Sequence, residues 1–300
     1  MGLAKKVLLA DVFGQAVDYG FAIHTTLNSG EIFLIMLSYT MQIYFDFSGY
    51  CDMAGGIAKM FNIYLPMNFS SPYRAVSIRE FWDRWHITLT RFLTNYVYIP
   101  LGGNRKGLIR TCLHILIVFV ISGLWHGAQW TFVFWGFLHG VFMVVERLVA
   151  AARDKRKQKN APQKATRLIK KVLAWGITFL FVNITWLYFR ADSIMIANQM
   201  LHRAFSFTAF EIRGELFLIY AGELLRFVLE RIDVITPLLY LIPMIFMLVL
   251  SMFLILCCKN TSQIVQNVKP TYRTALATIF LLLAAIVSLG GESAFLYFNF

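Results

Sequence analysis

The sequence predicts an all-α polytopic membrane protein, from its composition and from the spacing of its long apolar runs. Hydrophobic residues make up 58% of the 300-residue chain, and the mean hydropathy is +0.63. Charged residues make up only 15%, against roughly 25% in an ordinary soluble domain. This balance excludes a soluble globular enzyme, and it excludes a disordered chain, which would be less hydrophobic. We therefore expect one membrane domain over residues 1–300.

Apolar runs of the right length mark the expected spans, since a helix needs about 20 apolar residues to cross a bilayer. Residues 111–146 form one long apolar stretch broken at Gly123–Gly127, which predicts a hairpin. Residues 85–101 are amphipathic and suit a re-entrant or interfacial helix. The remaining predicted spans are 31–50, 172–189, 236–257 and 274–290, with a weaker one at 7–28.

The net charge of +12 lies mostly in segments that flank the spans. Residues 147–171 carry ten Lys or Arg and one acid, and Asn160 and Pro162 favour a loop here. Basic loops stay on the cytoplasmic side, so we expect a cytoplasmic loop at 147–171. The connection 191–235 carries four Arg and six acids. Because it is net acidic, we expect it on the outer side of the membrane. Alternation then places the C-terminus outside, and no nucleic acid is needed to explain the charge.

His126 follows the first arm of the predicted hairpin, in the stretch SGLWHGAQW. Residues 111–124 as a helix rise about 21 Å, less than a full crossing. An ionisable side chain at membrane depth is a functional hypothesis by default, and imidazole is the commonest general base. Trp125, Trp130 and Trp135 are expected to wall the site. The alternative is a histidine hydrogen-bonded in a helix interface.

His86 lies in the amphipathic stretch REFWDRWHITL. From the residues alone we favour a solvated interfacial helix whose Trp82 and Trp85 belong to the aromatic belt. The functional alternative is a second polar group that lines the same cavity as His126.

Two carboxylates, Asp46 and Asp52, lie six residues apart at the end of a predicted span. Paired carboxylates carry out acid–base chemistry or bind a cation. We favour the simpler interpretation of helix-end capping and pairing with Lys59 or Arg74.

The remaining histidines do not predict a metal centre. His126 and His86 have no third ligand at short spacing, and His126 and His139 are 13 residues apart. We expect His114 and His139 to be packing residues, and no metal is predicted.

Taken together, these stretches resemble the membrane-bound O-acyltransferase family. The bacterial branch that O-acetylates alginate or peptidoglycan, or D-alanylates teichoic acid, is the most similar. The matching pieces occur in the family's order and cover most of the chain. They are 2–11, 42–61, 65–93, 98–107, 122–140, 186–193 and 295–300.

The resemblance implies a layered helical fold with re-entrant segments and a central tunnel. It implies that His126, in the WHG motif, is the catalytic residue, and that His86, in the RWH motif, is a second polar residue of the site. Further candidates for the site or tunnel lining are Trp125, Trp85, Asn95, Asp46 and Asp52.

The resemblance also implies the reaction and its surroundings. An acyl group, acetyl in the first instance, would pass from acetyl-CoA or an acyl-carrier thioester to hydroxyls of an extracytoplasmic polysaccharide, with no permanently bound cofactor. The setting would be the lipid of a bacterial inner membrane. The aromatic tail 291–300 resembles an acyl relay in which Tyr297 passes the group to an esterase-like partner outside; from the residues alone we favour interfacial anchoring of this tail.

Two departures from the family pattern keep alternatives open. Asn95 stands in a segment, Thr94-Asn95-Tyr96, where an acid is usual. Family members also usually carry several spans ahead of the stretch at 2–11, where this chain begins. One alternative is a transporter or channel. Internal repeat symmetry would indicate a transporter, and we do not find it in the sequence. The other alternative is a truncated, non-catalytic member of the family.

Overall fold

A computed structural model of the chain describes residues 1–155, 164–229 and 237–289. Every regular element in these ranges is helical, which confirms the predicted all-α class. The chain opens with Gly2–Ala4 and the π-helical Lys5–Ala10; Pro72–Arg74 is a 3₁₀ turn and Thr94–Tyr98 a second π-helix. The other helices are α1 Asp11–Ala22, α2 Ser29–Met60, α3 Ile78–Arg84, α4 Ile87–Leu93, α5 Leu108–His126, α6 Trp130–Lys155, α7 Lys164–Arg190, α8 Ile194–Ala204, α9 Gly214–Leu229, α10 Pro237–Leu256, α11 Thr261–Asn267 and α12 Tyr272–Val287.

Three described helices are long and apolar enough to cross a membrane. A fourth span is possible if the bent pair α10 and α11, which meet at 65°, counts as one crossing. These helices confirm a polytopic membrane protein. α12 is apolar but shorter, and the predicted spans 7–28 and 31–50 are helical without meeting the same requirement. The three spans are Leu108–His126, Trp130–Ala152 and Leu168–Arg190.

The chain divides into two compact units, residues 1–65 with 196–300 and residues 66–195. In the first unit, ion pairs join the opening helix, which we define as residues 2–10, to α2. Lys6 is only 5% exposed and lies 2.9 Å from Asp11 and 2.7 Å from Asp46. Lys5 lies 2.7 Å from Asp52. A buried ammonium group requires such partners, because burying an unpaired charge is very costly.

These pairs correct the sequence interpretation of the two aspartates. Asp46 and Asp52 lie in the interior of the 32-residue α2, where we expected a helix end. Their partners are the two lysines of the opening helix, whereas the sequence favoured Lys59 or Arg74. The reason is that α2 continues past its apolar part as far as Met60, so these carboxylates are too far from its end to cap it.

The N-terminus of α2 is fixed by a capping box between Asn28 and Glu31. Arg213 donates to the same Glu31 carboxylate at 2.7 Å. This hydrogen bond raises the pKa of the Arg213 guanidinium above its ordinary value. The polar connection between α8 and α9 is therefore tied to the start of α2.

In the second unit, α5 and α6 form a tightly packed hairpin. A Cβ atom added at Gly136 would lie 2.2 Å from the carbonyl oxygen of Phe119, and one added at Gly123 would lie 2.3 Å from that of Phe132. Real Cβ atoms do not approach other atoms this closely, so only glycine permits the packing. Small residues commonly allow such close approach between membrane helices.

The predicted hairpin is confirmed, but the helix ends only at the last residues of the predicted break Gly123–Gly127. α5 continues through Gly123 and ends at His126, and the turn occupies residues 127–129. Gly123 packs against α6 and leaves α5 unbroken. The 19 residues of α5 rise about 28 Å, close to a full crossing. The expectation that His126 lies deep in the bilayer because its helix is short is thus not supported.

The basic run 147–171 is largely helical, where we expected a loop. α6 continues to Lys155 and α7 begins at Lys164, so Asn160 and Pro162 lie in a gap between the described ranges. Lysine and arginine are good helix formers, which explains why the helices extend beyond their apolar parts. The side on which this run lies remains a prediction.

The segment before the hairpin consists of short helices and turns. The predicted interfacial helix 85–101 is divided into α4, the π-helix Thr94–Tyr98 and a following turn. Pro72 begins the 3₁₀ turn Pro72–Arg74, whose first residue needs no N–H donor. α3 begins with a Ser77 side-chain cap, and the Glu146 carboxylate of α6 accepts from the Ile78 and Arg79 N–H groups at 2.7 and 3.1 Å. These bonds hold α3 against α6.

Candidate active site

His86 occupies a strained turn between α3 and α4. Its φ of 44° lies in the left-handed region, which non-glycine residues seldom adopt. The side chain is buried, and its Nδ1 lies 3.3 Å from the Asn68 Oδ1 atom. The same Asn68 oxygen accepts from Thr88 N–H and Oγ1–H at 3.2 and 2.6 Å. Backbone strain of this kind is concentrated at functional sites.

His126 is the last residue of α5, and aromatic rings surround its half-buried imidazole. The ring centroids of Trp135 and Phe189 lie 5.3 and 5.1 Å from that of His126, both nearly perpendicular to it. Of the tryptophans expected to wall the site, Trp130 is instead 76% exposed at the start of α6. The wall is formed by residues of α6 and α7.

Trp125 joins the two histidines into one site. Its ring centroid lies 4.9 Å from that of His126 and 6.1 Å from that of His86. His86 is buried and packs against Trp125, so the solvated position that we favoured from the residues alone is wrong. That His86 lines one cavity with His126 stays a prediction.

Trp85, the residue before His86, is buried and does not face solvent. It is 4% exposed, stacks on Phe81 and packs 5.1 Å from Trp186. Trp186 in turn stacks on Trp135 at 5.7 Å. An aromatic layer thus connects the RWH turn to the wall around His126.

His139, expected to be a packing residue, is the centre of a hydrogen-bonded chain across three helices. It is fully buried. Trp82 of α3 donates from Nε1 to His139 Nδ1 at 3.2 Å. His139 Nε2 lies 3.0 Å from the hydroxyl of Thr185 on α7, which donates to the Val182 carbonyl. Because the indole N–H can only donate, His139 carries its proton on Nε2.

His114, the other histidine expected to be a packing residue, has one ring nitrogen 2.9 Å from the Gly103 carbonyl oxygen.

The other candidates are Asn95, Asp46, Asp52 and Tyr297. Asn95 is exposed on the π-helix Thr94–Tyr98. Asp46 and Asp52 belong to the other compact unit. Tyr297 lies outside the described residues. Within those residues, no group of three or more His, Cys, Asp or Glu side chains is arranged to hold a metal ion.

Sequence reasoning missed two features of this site. The role of Asn68 depends on a contact over 18 positions within an irregular loop, and no periodic pattern signals such a contact. The place of Trp186 beside Trp135 depends on how α6 and α7 pack. Its position four residues before Arg190 at the end of α7 was the available signal, and it indicated only a span.

Comparisons with known proteins identify the family of the chain. A model of the membrane-bound O-acyltransferase family matches residues 1–190, which include both histidines. The chain is 40% identical to a peptidoglycan O-acetyltransferase of Helicobacter pylori, and the match covers all of this chain. It is 39% identical to the protein named Probable alginate O-acetylase AlgI of Pseudomonas aeruginosa and 30% identical to a teichoic acid D-alanyltransferase of Bacillus subtilis, over 70% and 59% of this chain.

The match extends over only part of each relative. It covers 55% of the Helicobacter protein, 38% of the Pseudomonas protein and 47% of the Bacillus protein. The chain therefore spans about half or less of the length of these relatives. Because the family match includes more than half of this chain and both site histidines, the chain belongs to the membrane-bound O-acyltransferase family.

Proposed function

We propose that the chain transfers an acyl group, acetyl in the first instance, from a cytoplasmic thioester to hydroxyls of an extracytoplasmic polysaccharide. One observation carries the proposal: His126 and His86 both pack against Trp125, inside the part of the chain that matches the family. The relatives named for acetyl transfer to peptidoglycan or alginate support acetyl as the group and a polysaccharide as the acceptor.

His126 acts as the general base in this reaction. Its imidazole removes the proton from the acceptor hydroxyl as the hydroxyl oxygen attacks the thioester carbonyl carbon. The carbon–sulfur bond then breaks, and the thiolate leaves with the proton that His126 received. His86, held by Asn68, orients the acceptor or its proton beside His126. Aromatic walls exclude water, which would otherwise compete as an acceptor.

The donor would be anionic, as acetyl-CoA or as an acyl group on a carrier protein. In the second unit, exposed basic side chains outnumber exposed acids on the segments around the site. A basic surface raises the encounter rate of an anionic donor, and salt weakens this effect. The exposed basic residues are Arg79, Arg91, Arg105, Lys106 and Arg110.

On the outer side, Tyr297 of the C-terminal tail would accept the acyl group, and a separate esterase-like transferase would move it to the polysaccharide. This part of the proposal rests on the resemblance of the tail alone. Its direct test is mass spectrometry of the C-terminal peptide for an acylated tyrosine.

The decisive experiment replaces His126 by alanine on the chromosome of the source bacterium. We expect acetate released by mild base from the polysaccharide fraction to fall by at least 100-fold, the size of a general-base contribution. His202→Ala is the matched control, because His202 is an exposed histidine on α8, in the other unit.

Membrane levels of each variant are compared by immunoblot so that loss of protein is not counted as loss of chemistry. Acetate that stays at the wild-type level in His126→Ala cells would contradict the proposed reaction.

A further inference from the structure

Two fully buried indole rings stack on each other beside the catalytic histidine. Trp135 of α6 and Trp186 of α7 are each 1% exposed. Their centroids are 5.7 Å apart and their planes are inclined by 14°. Trp135 of this pair also packs against the His126 ring.

The N–H groups of these two indoles have no hydrogen-bond partner among the described residues. A buried tryptophan N–H normally finds one, and an unpaired buried donor costs about 1–3 kcal/mol. Other tryptophans of the same unit follow the rule. Trp82 donates to His139, and Trp175 donates to the Tyr73 carbonyl at 2.8 Å.

Buried hydroxyls at the same hairpin show the same pattern. Ser122 lies one helical turn before His126 on α5, and Thr131 is the second residue of α6. Both are at most 2% exposed, and neither oxygen has a partner in the described part of the chain. These four buried polar atoms lie on α5, α6 and α7, the helices that carry His126 and the aromatic rings around it.

We propose that Trp135 Nε1–H donates a hydrogen bond to the carbonyl oxygen of the acyl donor and stabilises the oxyanion that forms on it. The inference deepens the proposed function and rests on it. Of the two stacked indoles, Trp135 is the one whose ring contacts the His126 imidazole, at 5.3 Å and 85°.

The dimensions of the reaction agree with this assignment. In the transition state, the oxyanion lies about 3 Å from its donor and the attacking oxygen about 3 Å from the base. One reacting carbon atom joins these two oxygens, so base and donor should be neighbouring groups, as the Trp135 and His126 rings are.

During the attack, His126 takes the proton of the acceptor hydroxyl. The hydroxyl oxygen bonds to the thioester carbonyl carbon, and the carbonyl electron pair moves onto the carbonyl oxygen. That oxyanion accepts the Trp135 hydrogen bond. When it collapses, the carbon–sulfur bond breaks and the thiolate takes the proton from the imidazolium. The products are an ester and a thiol, and Trp135 itself neither gains nor loses a proton.

The test removes the N–H group and keeps the ring. Trp135 is replaced by benzothienylalanine, in which sulfur stands in place of the N–H, and separately by phenylalanine (Trp135→Phe). Both variants are made in the full protein in its native host. Base-released acetate is measured and divided by the amount of folded protein, which size-exclusion chromatography quantifies. We expect transfer to fall on the order of 100-fold in both variants, the effect of losing one oxyanion donor.

Trp130→Phe is the matched control, because Trp130 lies on the same helix, is largely exposed and is expected to keep wild-type transfer. Near-wild-type transfer by the benzothienylalanine variant would overturn the inference, since that variant keeps the packing and lacks the donor. This failure is distinct from failure of the proposed function, in which His126→Ala would also retain transfer.

Discussion

At the scale of single residues, the strained backbone of His86 is the most specific feature of the site. A left-handed conformation costs a non-glycine residue about 1–2 kcal/mol, and His86 adopts it next to Trp125 and Asn68. A protein keeps such strain where the side chain has to be placed at one exact position. We therefore propose that the His86 imidazole takes part in the reaction.

Replacing His86 by asparagine separates its backbone from its side chain. Asparagine adopts the left-handed region more readily than most residues, so we expect His86→Asn to fold with a free energy of unfolding within about 1 kcal/mol of wild type. We expect acetyl transfer to fall on the order of tenfold or more, because the imidazole beside His126 is lost. Base-released acetate and thermal unfolding of the purified protein measure the two effects.

The control for this variant is Asn62→Gly, at another residue with positive φ, 58°. Asn62 is exposed and lies in the first unit, so transfer should stay at the wild-type level. If His86→Asn kept full transfer, the imidazole would have no part in the reaction.

From residue types alone, His126 was a candidate because an ionisable group in an apolar stretch is costly, whereas His86 was assigned to a solvated interfacial helix. The family resemblance made both histidines candidates, and the structure places both rings against Trp125. The partners of Asp46 and Asp52 could not be predicted, because Lys6 and Lys5 lie 40 and 47 positions earlier in the chain. Pairing over such distances depends on how helices pack, and local spacing does not encode it.

At the scale of elements, the existence of the helices followed from hydropathy, whereas their ends did not. α5 passes through Gly123 because the glycine faces α6, and a sequence pattern cannot tell a packing glycine from a helix breaker. α3 shows the same limit: its Ser77 cap is local and visible in the sequence, but its Glu146 contact comes from a helix 67 to 68 positions later.

Adding one methyl group to the α5–α6 interface tests this packing. We expect Gly136→Ala to lower the free energy of unfolding by about 1–3 kcal/mol, because its Cβ would overlap the Phe119 carbonyl and the helices would have to separate. Transfer should fall as well, since His126 ends α5 and Trp135 precedes the altered residue. Thermal unfolding in detergent and base-released acetate are the measurements.

Gly176→Ala provides the comparison within the same unit. Gly176 lies inside α7, and a Cβ there has no neighbouring atom within 4 Å. Alanine should stabilise this helix by up to about 1 kcal/mol. Equal stability changes for Gly136→Ala and Gly176→Ala would show that the close approach at Gly136 is not a constraint.

At the scale of the whole molecule, composition predicted the class and charge predicted the orientation. The hydrophobic fraction of 58% agrees with the three apolar spans. Orientation depends on where the bilayer lies, and helix packing alone does not define that. The basic and acidic segments of the sequence therefore predict which side of the membrane each loop faces.

The positive-inside rule makes a direct prediction for this chain. The run 147–171 has ten basic residues and one acid and should face the cytoplasm, and the tail 291–300 should face outward. In a background with Cys51, Cys112, Cys257 and Cys258 replaced by serine, single cysteines are introduced as Gln158→Cys and Ser293→Cys. A membrane-impermeant maleimide applied to intact spheroplasts should label position 293 and leave position 158 unlabelled until the cells are lysed.

Asn104→Cys, in the basic turn before α5, gives a second cytoplasmic reference and should behave as position 158 does. This orientation matters for the mechanism, because it places the donor side at the basic segments and the proposed Tyr297 relay on the acceptor side. Labelling of position 158 in intact spheroplasts, with position 293 protected, would reverse the orientation. The direction of acyl transfer would then have to be reversed with it, whatever the chemistry at His126.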